Sequence, residues 1–300
     1  MKLRYHTTAF AAAISLASCT AEHAREEVGE RSLPDQAPLT EAGANATAIL
    51  NAGVSANIGD PGDPVKFLFD PIYDNHFGSL QPLDMGLIDR IVSGAPPYDG
   101  VDAVFVSHAH GDHFSARHLN RLLGAQSEVR LVAPVQAVDM MREDDGWDPA
   151  FAARIDEISL GNGEQAPPLT IAGATIEAFR SPHNGWPDRH ADVHNITYRV
   201  SASDAADGTH RVMHLGDAGT STEFFEPHSE FLSSSRTGLA IVPFWFLRED
   251  EIDSLIDRTL NAEAAAGMHV PVEEPGWLSD NGRPYFTEEG QSVPVPSVTE

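Results

Sequence analysis

The chain has 300 residues, with 19 basic against 45 acidic side chains, a formal net charge of −26, and 41% hydrophobic residues. That apolar fraction supports a packed core and excludes a wholly disordered chain, and the length suits one large domain or two small ones. The acidic excess excludes nucleic-acid binding through a basic surface and docking of a polybasic patch on anionic lipid. The single cysteine excludes a disulfide framework, a Cys-rich zinc module and a CxxC redox pair. Any metal chemistry must therefore rest on carboxylates and the 14 histidines.

The N-terminus reads as an address. Lys2 and Arg4 precede a small, apolar, uncharged run over residues 7–17, which has signal-peptide length and is too short to span a bilayer as a mature helix. The run Leu16-Ala17-Ser18-Cys19 resembles the lipobox of bacterial lipoproteins, which implies cleavage before Cys19 and lipidation of its thiol. An ordinary secretory signal with an accidental cysteine is the alternative. The expected organisation is a signal peptide over 1–18, a lipidated cysteine and flexible tether over 19–47, a folded domain over 48–280 and a C-terminal tail over 281–300. Tyr285 and Phe286 offer that tail an anchor. The expected location is the bacterial periplasm or cell envelope, with the membrane touched only through the lipid.

Within the body, residues 65–69 read as a strand stopped by Asp70-Pro71, and residues 101–106 as a buried strand. A helix is expected over 115–123, a strand over 129–133 and a helix over 135–142. A hairpin is expected over 169–179 around Gly173, then paired strands over 195–200 and 211–215 joined by a polar loop over 201–208. A further buried strand is expected over 239–242, and a helix over 249–266 with Ile252, Leu255, Ile256 and Leu260 on one face. Many strands with helices between them predict an α/β (α+β layered) fold of two sheets covered by helices.

The stretch Ser107-His108-Ala109-His110-Gly111-Asp112-His113 carries the chemistry. Alternation along an extended chain puts His108 and His110 on one side, and Gly111 permits a sharp turn that brings Asp112 and His113 to a second position. Imidazole and carboxylate together suit zinc, iron or manganese. A His-rich surface loop that binds metal adventitiously is the bland alternative.

With that motif the chain resembles the metallo-β-lactamase fold superfamily over about residues 48–273. VKFLFDP is similar to that superfamily's early strand, His183 in FRSPHNG to its third histidine, Asp217 in HRVMHLGDAG to its metal-bridging aspartate, and His269 in AAAGMHVP to its last histidine. GLAIVPF fits the strand between the last two. In texture the chain most resembles the branch of ascorbate-phosphate lactonase-like hydrolases. The resemblance implies an αββα sandwich of two mixed sheets flanked by helices. It also implies two divalent metal ions, zinc first with iron or manganese as alternatives. His108, His110 and His183 would hold one ion, Asp112, His113 and His269 the other, with Asp217 shared. His194, in VHNITYRV, competes with His183, which is preferred because it follows a predicted strand and precedes a roomy Gly/Trp/Pro loop. His190 and His194 are otherwise pocket residues or exposed loop histidines. His118 and His214 read as structural.

That ligand set implies an exported metallo-hydrolase whose metal-held hydroxide attacks an ester, lactone or phosphoester of a small molecule, with Asp112 both ligand and catalytic orienting group. No GxSxG elbow is present. The lack of a ligand cysteine, and the presence of Asp217, depart from the β-lactamase subgroups that use Cys or only His. A β-lactamase-like amide hydrolase therefore stands as an alternative, as does a catalytically silent metal-binding lipoprotein. Trp186 and Trp245 sit beside ligand-bearing loops as candidates for a pocket rim or for ordinary packing.

Overall fold

The computed structural model describes residues 43–206, 208–248 and 252–299. The signal peptide, Cys19 and most of the tether fall outside the described residues. Strands β1 (Asn45–Leu50), β2 (Gly53–Ile58), β3 (Val65–Phe69), β4 (Ala103–Phe105), β5 (Arg130–Pro134) and β6 (Ile155–Ile158) lie side by side in that order, with β13 (Ser292–Pro294) on the outer edge of β1. A second sheet runs β12 (Ala262–Met268), β11 (Thr237–Pro243), β10 (Gly208–His214), β9 (Ile196–Asp204), β8 (Ala174–Arg180), β7 (Leu169–Ile171), and β14 (Ser297–Val298) pairs with β10. Both sheets are mixed: β3 to β6 are parallel and β1 to β3 antiparallel, while β10 to β12 are parallel and β7 to β10 antiparallel.

Side-chain alternation explains the layers. Phe67, Phe69, Ala103 and Phe105 point from the first sheet into a core shared with Tyr198, Val200, Val212, Leu239 and Ile241 of the second. The intervening Leu68 and Val104 face the other way, onto helices α1 (Met85–Ser93), α2 (Ala116–Ala125) and α3 (Val135–Glu143). Met213, Ala240 and Val242 likewise face outward from the second sheet, onto Phe231, Leu232, Leu255 and Ile256. A period of two with both faces buried makes each sheet an inner layer of an αββα sandwich. Among the described residues no helix is long and apolar enough to cross a membrane.

Several expected boundaries change. The body begins at Asn45, inside the expected tether, because β1 pairs with β2 from Asn45 onward. Residues 281–300 are not a loose tail: β13 pairs with β1, β14 with β10, and Phe286 is buried in the central core. The expected helix over 249–266 is also corrected. Residues 252–259 are helical, but 262–268 form β12, parallel to β11. The run AEAAAGM has helix-forming alanines, yet the site demands small residues. A Cβ at Gly267 would lie 2.7 Å from Leu247 Cδ1 and 2.9 Å from Tyr285 Cβ. Tertiary packing overrides propensity there. The loop expected over 201–208 is shorter, since β9 runs to Asp204 and β10 starts at Gly208.

Candidate metal centre

The seven expected ligands converge where strands of both sheets end. His108 to His113 follow β4, His183 follows β8, Asp217 follows β10 and His269 follows β12. Two hydrogen bonds hold the sheets together at this edge: the backbone Ile196 N donates to Ser107 O (2.9 Å), and the Tyr198 hydroxyl donates to Val106 O (2.9 Å). The motif turns at Gly111, where the N–H groups of His113 and Phe114 both reach His110 O (3.1 and 3.0 Å). The His183 and Asp217 segments pair with each other, through Asn184 N to Asp217 O (2.7 Å) and Gly219 N to Pro182 O (3.0 Å).

Two groups of ligand atoms result: His108, His110 and His183, and Asp112, His113, Asp217 and His269, each group within 4.8 Å. His108 Nε2 and His110 Nδ1 are 3.0 Å apart. Asp217 Oδ1 lies 3.1 Å from His113 Nε2, and its Oδ2 lies 3.5 Å from His183 Nε2 and 3.6 Å from His269 Nε2. Asp112 Oδ2 lies 3.1 Å from His269 Nε2. The Asp217 carboxylate thus reaches both groups.

The residues fit a metal pair. Asp112 Oδ1 and His183 Nε2 are buried without a hydrogen-bond partner, and His113 Nε2 and Asp217 Oδ1, equally buried, face only each other at 3.1 Å. Buried polar atoms in native folds are otherwise satisfied. The opposite ring nitrogens are occupied: His113 Nδ1 by Asp70 Oδ2 (2.8 Å), His183 Nδ1 by Asn184 O (2.8 Å) and His108 Nδ1 by Ser107 Oγ (3.0 Å). Protonated Nδ1 atoms leave the Nε2 lone pairs of His108 and His183 facing the site, and that of His113 once its second proton is displaced, which is how outer groups orient metal-binding imidazoles.

The sequence did not single out the groups that hold the ligands. Asp70, at the end of β3, accepts from Ser107 N (2.7 Å), Ser107 Oγ (2.5 Å) and His113 Nδ1. Asn51, in the turn between β1 and β2, donates to Asp112 O (2.7 Å), while its carbonyl accepts from His269 N (2.9 Å). Asn195 Oδ1 accepts from Asp217 N (2.9 Å). Gly216 has φ +54°, and a Cβ there would lie 2.3 Å from Asn195 Oδ1 and 2.7 Å from Ser107 Cβ, so only glycine fits. The Asp-Pro stop after β3 and the Gly-Asp pair were the available signals.

The remaining candidates separate. His190 lies beside the first group, its ring 5.1 Å from that of His110 and 4.6 Å from that of His183. It shares an open groove of about 510 Å³ with Ala109, His110, Gln136, Met140, Asp192 and Val193. His194 joins neither group; its N–H donates to Gln136 Oε1 (2.8 Å). Trp245 stands edge-on to His269 at 5.5 Å and donates to Ala218 O, whereas Trp186 packs edge-on against Phe224. His214 stacks on Phe69 and bonds Ala52 O, and His118 pairs with Asp74.

Electrostatics divide the two groups. Burial pulls His183 down to about 4, and burial also holds His108 well below and His110 below the ordinary histidine range. Burial acts the same way on His113, but the Asp217 and Asp70 carboxylates outweigh it and raise it well above that range. Burial disfavours the Asp217 carboxylate, yet His113 and His269 hold it well below the usual carboxylate range. In metal-free protein near neutral pH the first group is therefore neutral and ready to bind, whereas His113 carries a proton that a cation must displace. Zinc loading at neutral pH is expected to release protons, that of His113 among them. Calorimetry in buffers of different ionisation heat checks this, and equal heats in all buffers would refute it.

The family's model, described as the beta-lactamase superfamily domain, matches residues 66–275, so the chain belongs to the beta-lactamase superfamily. Among solved structures, Zn(2+)-bound PqqB from Methylobacterium extorquens is 12% identical, with 83% of this chain and 99% of that one covered at a TM-score of 0.50. A protein from Parabacteroides distasonis, inferred to be a metal-dependent hydrolase, is 15% identical, with 83% and 94% covered at a TM-score of 0.48. The metallo-β-lactamase MIM-1 from Novosphingobium pentaromativorans is 15% identical, with 79% and 85% covered at a TM-score of 0.33. No curated protein matches the sequence.

Proposed function

We propose that the protein is a metal-dependent hydrolase that holds two divalent ions, zinc by preference, and cleaves an ester, lactone or phosphoester of a small molecule. The observation that carries this reading is the convergence of two groups of buried ligand atoms, with Asp112 Oδ1 and His183 Nε2 left without a partner. His108, His110 and His183 would hold one ion and Asp112, His113 and His269 the other, with Asp217 reaching both. Bound ions supply an activated water at neutral pH and polarise the bond under attack. The chain's own groups orient and exclude. Asp112 has one oxygen on His269 and one unpartnered oxygen left to align the nucleophile, and the Trp245 ring stands edge-on to His269.

The test is metal analysis of chelator-free protein together with a panel of lactones, phosphodiesters and β-lactams. Close to two equivalents and metal-dependent turnover are expected. Asp112→Asn should lower turnover roughly 10²-fold or more with the fold intact, while Ser107 substitution should leave no covalent-adduct chemistry to lose. Activity in fully metal-free protein would sink the proposal. We also propose lipid anchoring at the cell envelope through Cys19, supported by the Leu-Ala-Ser-Cys run. Fatty-acid labelling that persists in Cys19→Ser would refute it.

A further inference from the structure

Among the described residues, the large hydrophobic side chains that stand most exposed are Phe77 (62%) and Val272 (59%). Single exposed apolar residues are ordinary; the position of these two and the backbone of Phe77 are not. The N–H groups of Asp74 and Asn75 both donate to the carbonyl of Gly111 (3.0 and 2.8 Å), the residue between His110 and Asp112. A Cβ at Gly111 would lie 3.1 Å from Asn75 Cβ, so the segment leading to Phe77 rests directly on the metal-binding turn. Val272 follows His269 by three positions, and its N–H donates to Ser79 O (2.8 Å). The turn closes where Ser79 N and Leu80 N meet His76 O (3.0 and 2.9 Å). One hydrogen-bonded loop pair therefore joins Phe77 and Val272 to both ends of the ligand set.

Phe77 also has φ +48°, the left-handed region that a bulky aromatic residue rarely enters. Asn75 Oδ1 accepts its N–H (2.8 Å) and Gly78 follows at φ +73°, so the turn is built to hold that conformation. The fold thus accepts backbone strain and leaves an aromatic ring in water on the segment that bonds to the Gly111 turn. Strain of this kind gathers at binding sites. Two side chains cover far less than the roughly 1,000 Å² a stable protein partner needs, but they match one arm of a small molecule.

We propose that Phe77 and Val272 form a recognition rim for an apolar arm of the substrate, whose hydrolysable head reaches the metal ligands. The substrate class is then an acyl- or aryl-bearing ester or lactone with an uncharged or zwitterionic head, in keeping with a chain of net charge −26 that repels polyanions. The proposal rests on the metal-dependent reading for the head group and adds the arm.

A series of alkyl hydroxamates, from acetohydroxamate to decanohydroxamate, tests it by binding to zinc-loaded protein, without turnover. The hydroxamate head engages metal, and the chain length reports the rim. In the wild type Kd is expected to fall about two- to fourfold per added methylene through the middle of the series, the scale of a partly to fully buried CH₂. Phe77→Ser and Val272→Ser, both at exposed positions, should flatten that slope while binding acetohydroxamate as the wild type does. A flat wild-type slope with acetohydroxamate bound overturns the rim and leaves the metal centre standing, as does an unchanged slope in both variants. Failure of every hydroxamate to bind overturns both. Partition of the wild type, but not of Phe77→Ser, onto phosphatidylcholine vesicles together with a flat slope would assign the rim to a membrane surface and overturn the proposal.

Discussion

Asp217→Asn is expected to cut bound metal from close to two equivalents to one or fewer and to lower turnover by roughly 10²- to 10³-fold, the range seen when a preorganised electrostatic group is lost. Its carboxylate sets one oxygen 3.1 Å from His113 Nε2 and the other 3.5 Å from His183 Nε2 and 3.6 Å from His269 Nε2. An amide keeps the shape, and the Asn195 contact is to the backbone N–H of residue 217, so the loop keeps its anchor. What disappears is the one negative charge within reach of both groups, and with it one of the two carboxylates that hold His113 protonated. His194→Ala is the matched control: its ring belongs to neither ligand group. Metal analysis and steady-state rates of the two variants decide the matter. An Asp217→Asn protein that retains both ions would show that the carboxylate does not bridge.

The candidate ligand cluster was visible in the sequence because His108, His110, Asp112 and His113 fall within six residues after an apolar strand, and period-two geometry alone separates them into two positions. The third histidine was harder, since His183 and His194 both flank a strand of the second sheet. The structure separates them by the pairing of the His183 segment with Ala218, next to Asp217, while His194 is tied to Gln136 of α3. The hairpin of β1 and β2 was not legible. Its buried positions are largely alanines, Ala46, Ala48, Ala52 and Ala56, which carry little strand signal and fit in a core shared with larger residues of the second sheet such as Tyr198 and Val212. Asn51 went unseen with it. The supports of the site share this difficulty. Asp70 is separated from Ser107 and His113 by 37 and 43 positions, and Asn51 from Asp112 by 61, so only the folded topology reveals which polar residue serves which ligand.

Asp70 supplies the second large expected effect, and the two obvious substitutions should fail in different ways. Its side chain is fully buried and accepts three hydrogen bonds, two from Ser107 and one from His113. The residue also has φ +42°, a conformation that Asp and Asn tolerate better than other non-glycine residues. Asp70→Ala therefore leaves those donors without their acceptor, at about 1–3 kcal/mol for each buried group stranded, and adds backbone strain. A loss of several kcal/mol is expected, read as a large drop in the denaturant midpoint. Asp70→Asn keeps the backbone preference and the shape. Its Oδ1 can still accept from Ser107 N, but its amide NH₂ then faces His113 Nδ1, where the native carboxylate accepts a proton. Two donors cannot face each other, so neutral His113 is driven to the tautomer with hydrogen on Nε2, the atom that must offer a lone pair to the second ion. Zinc affinity at the Asp112–His113–His269 group should fall about 10- to 100-fold, and further than at the first group, which Asp70 reaches only through Ser107 Oγ and His108 Nδ1. A zinc competition titration resolves the two sites, and ¹⁵N shifts of the His113 ring in metal-free protein report the tautomer. Equal weakening of both sites, or a His113 ring still protonated on Nδ1, would mean that Asp70 supports the fold without directing the metal ligand.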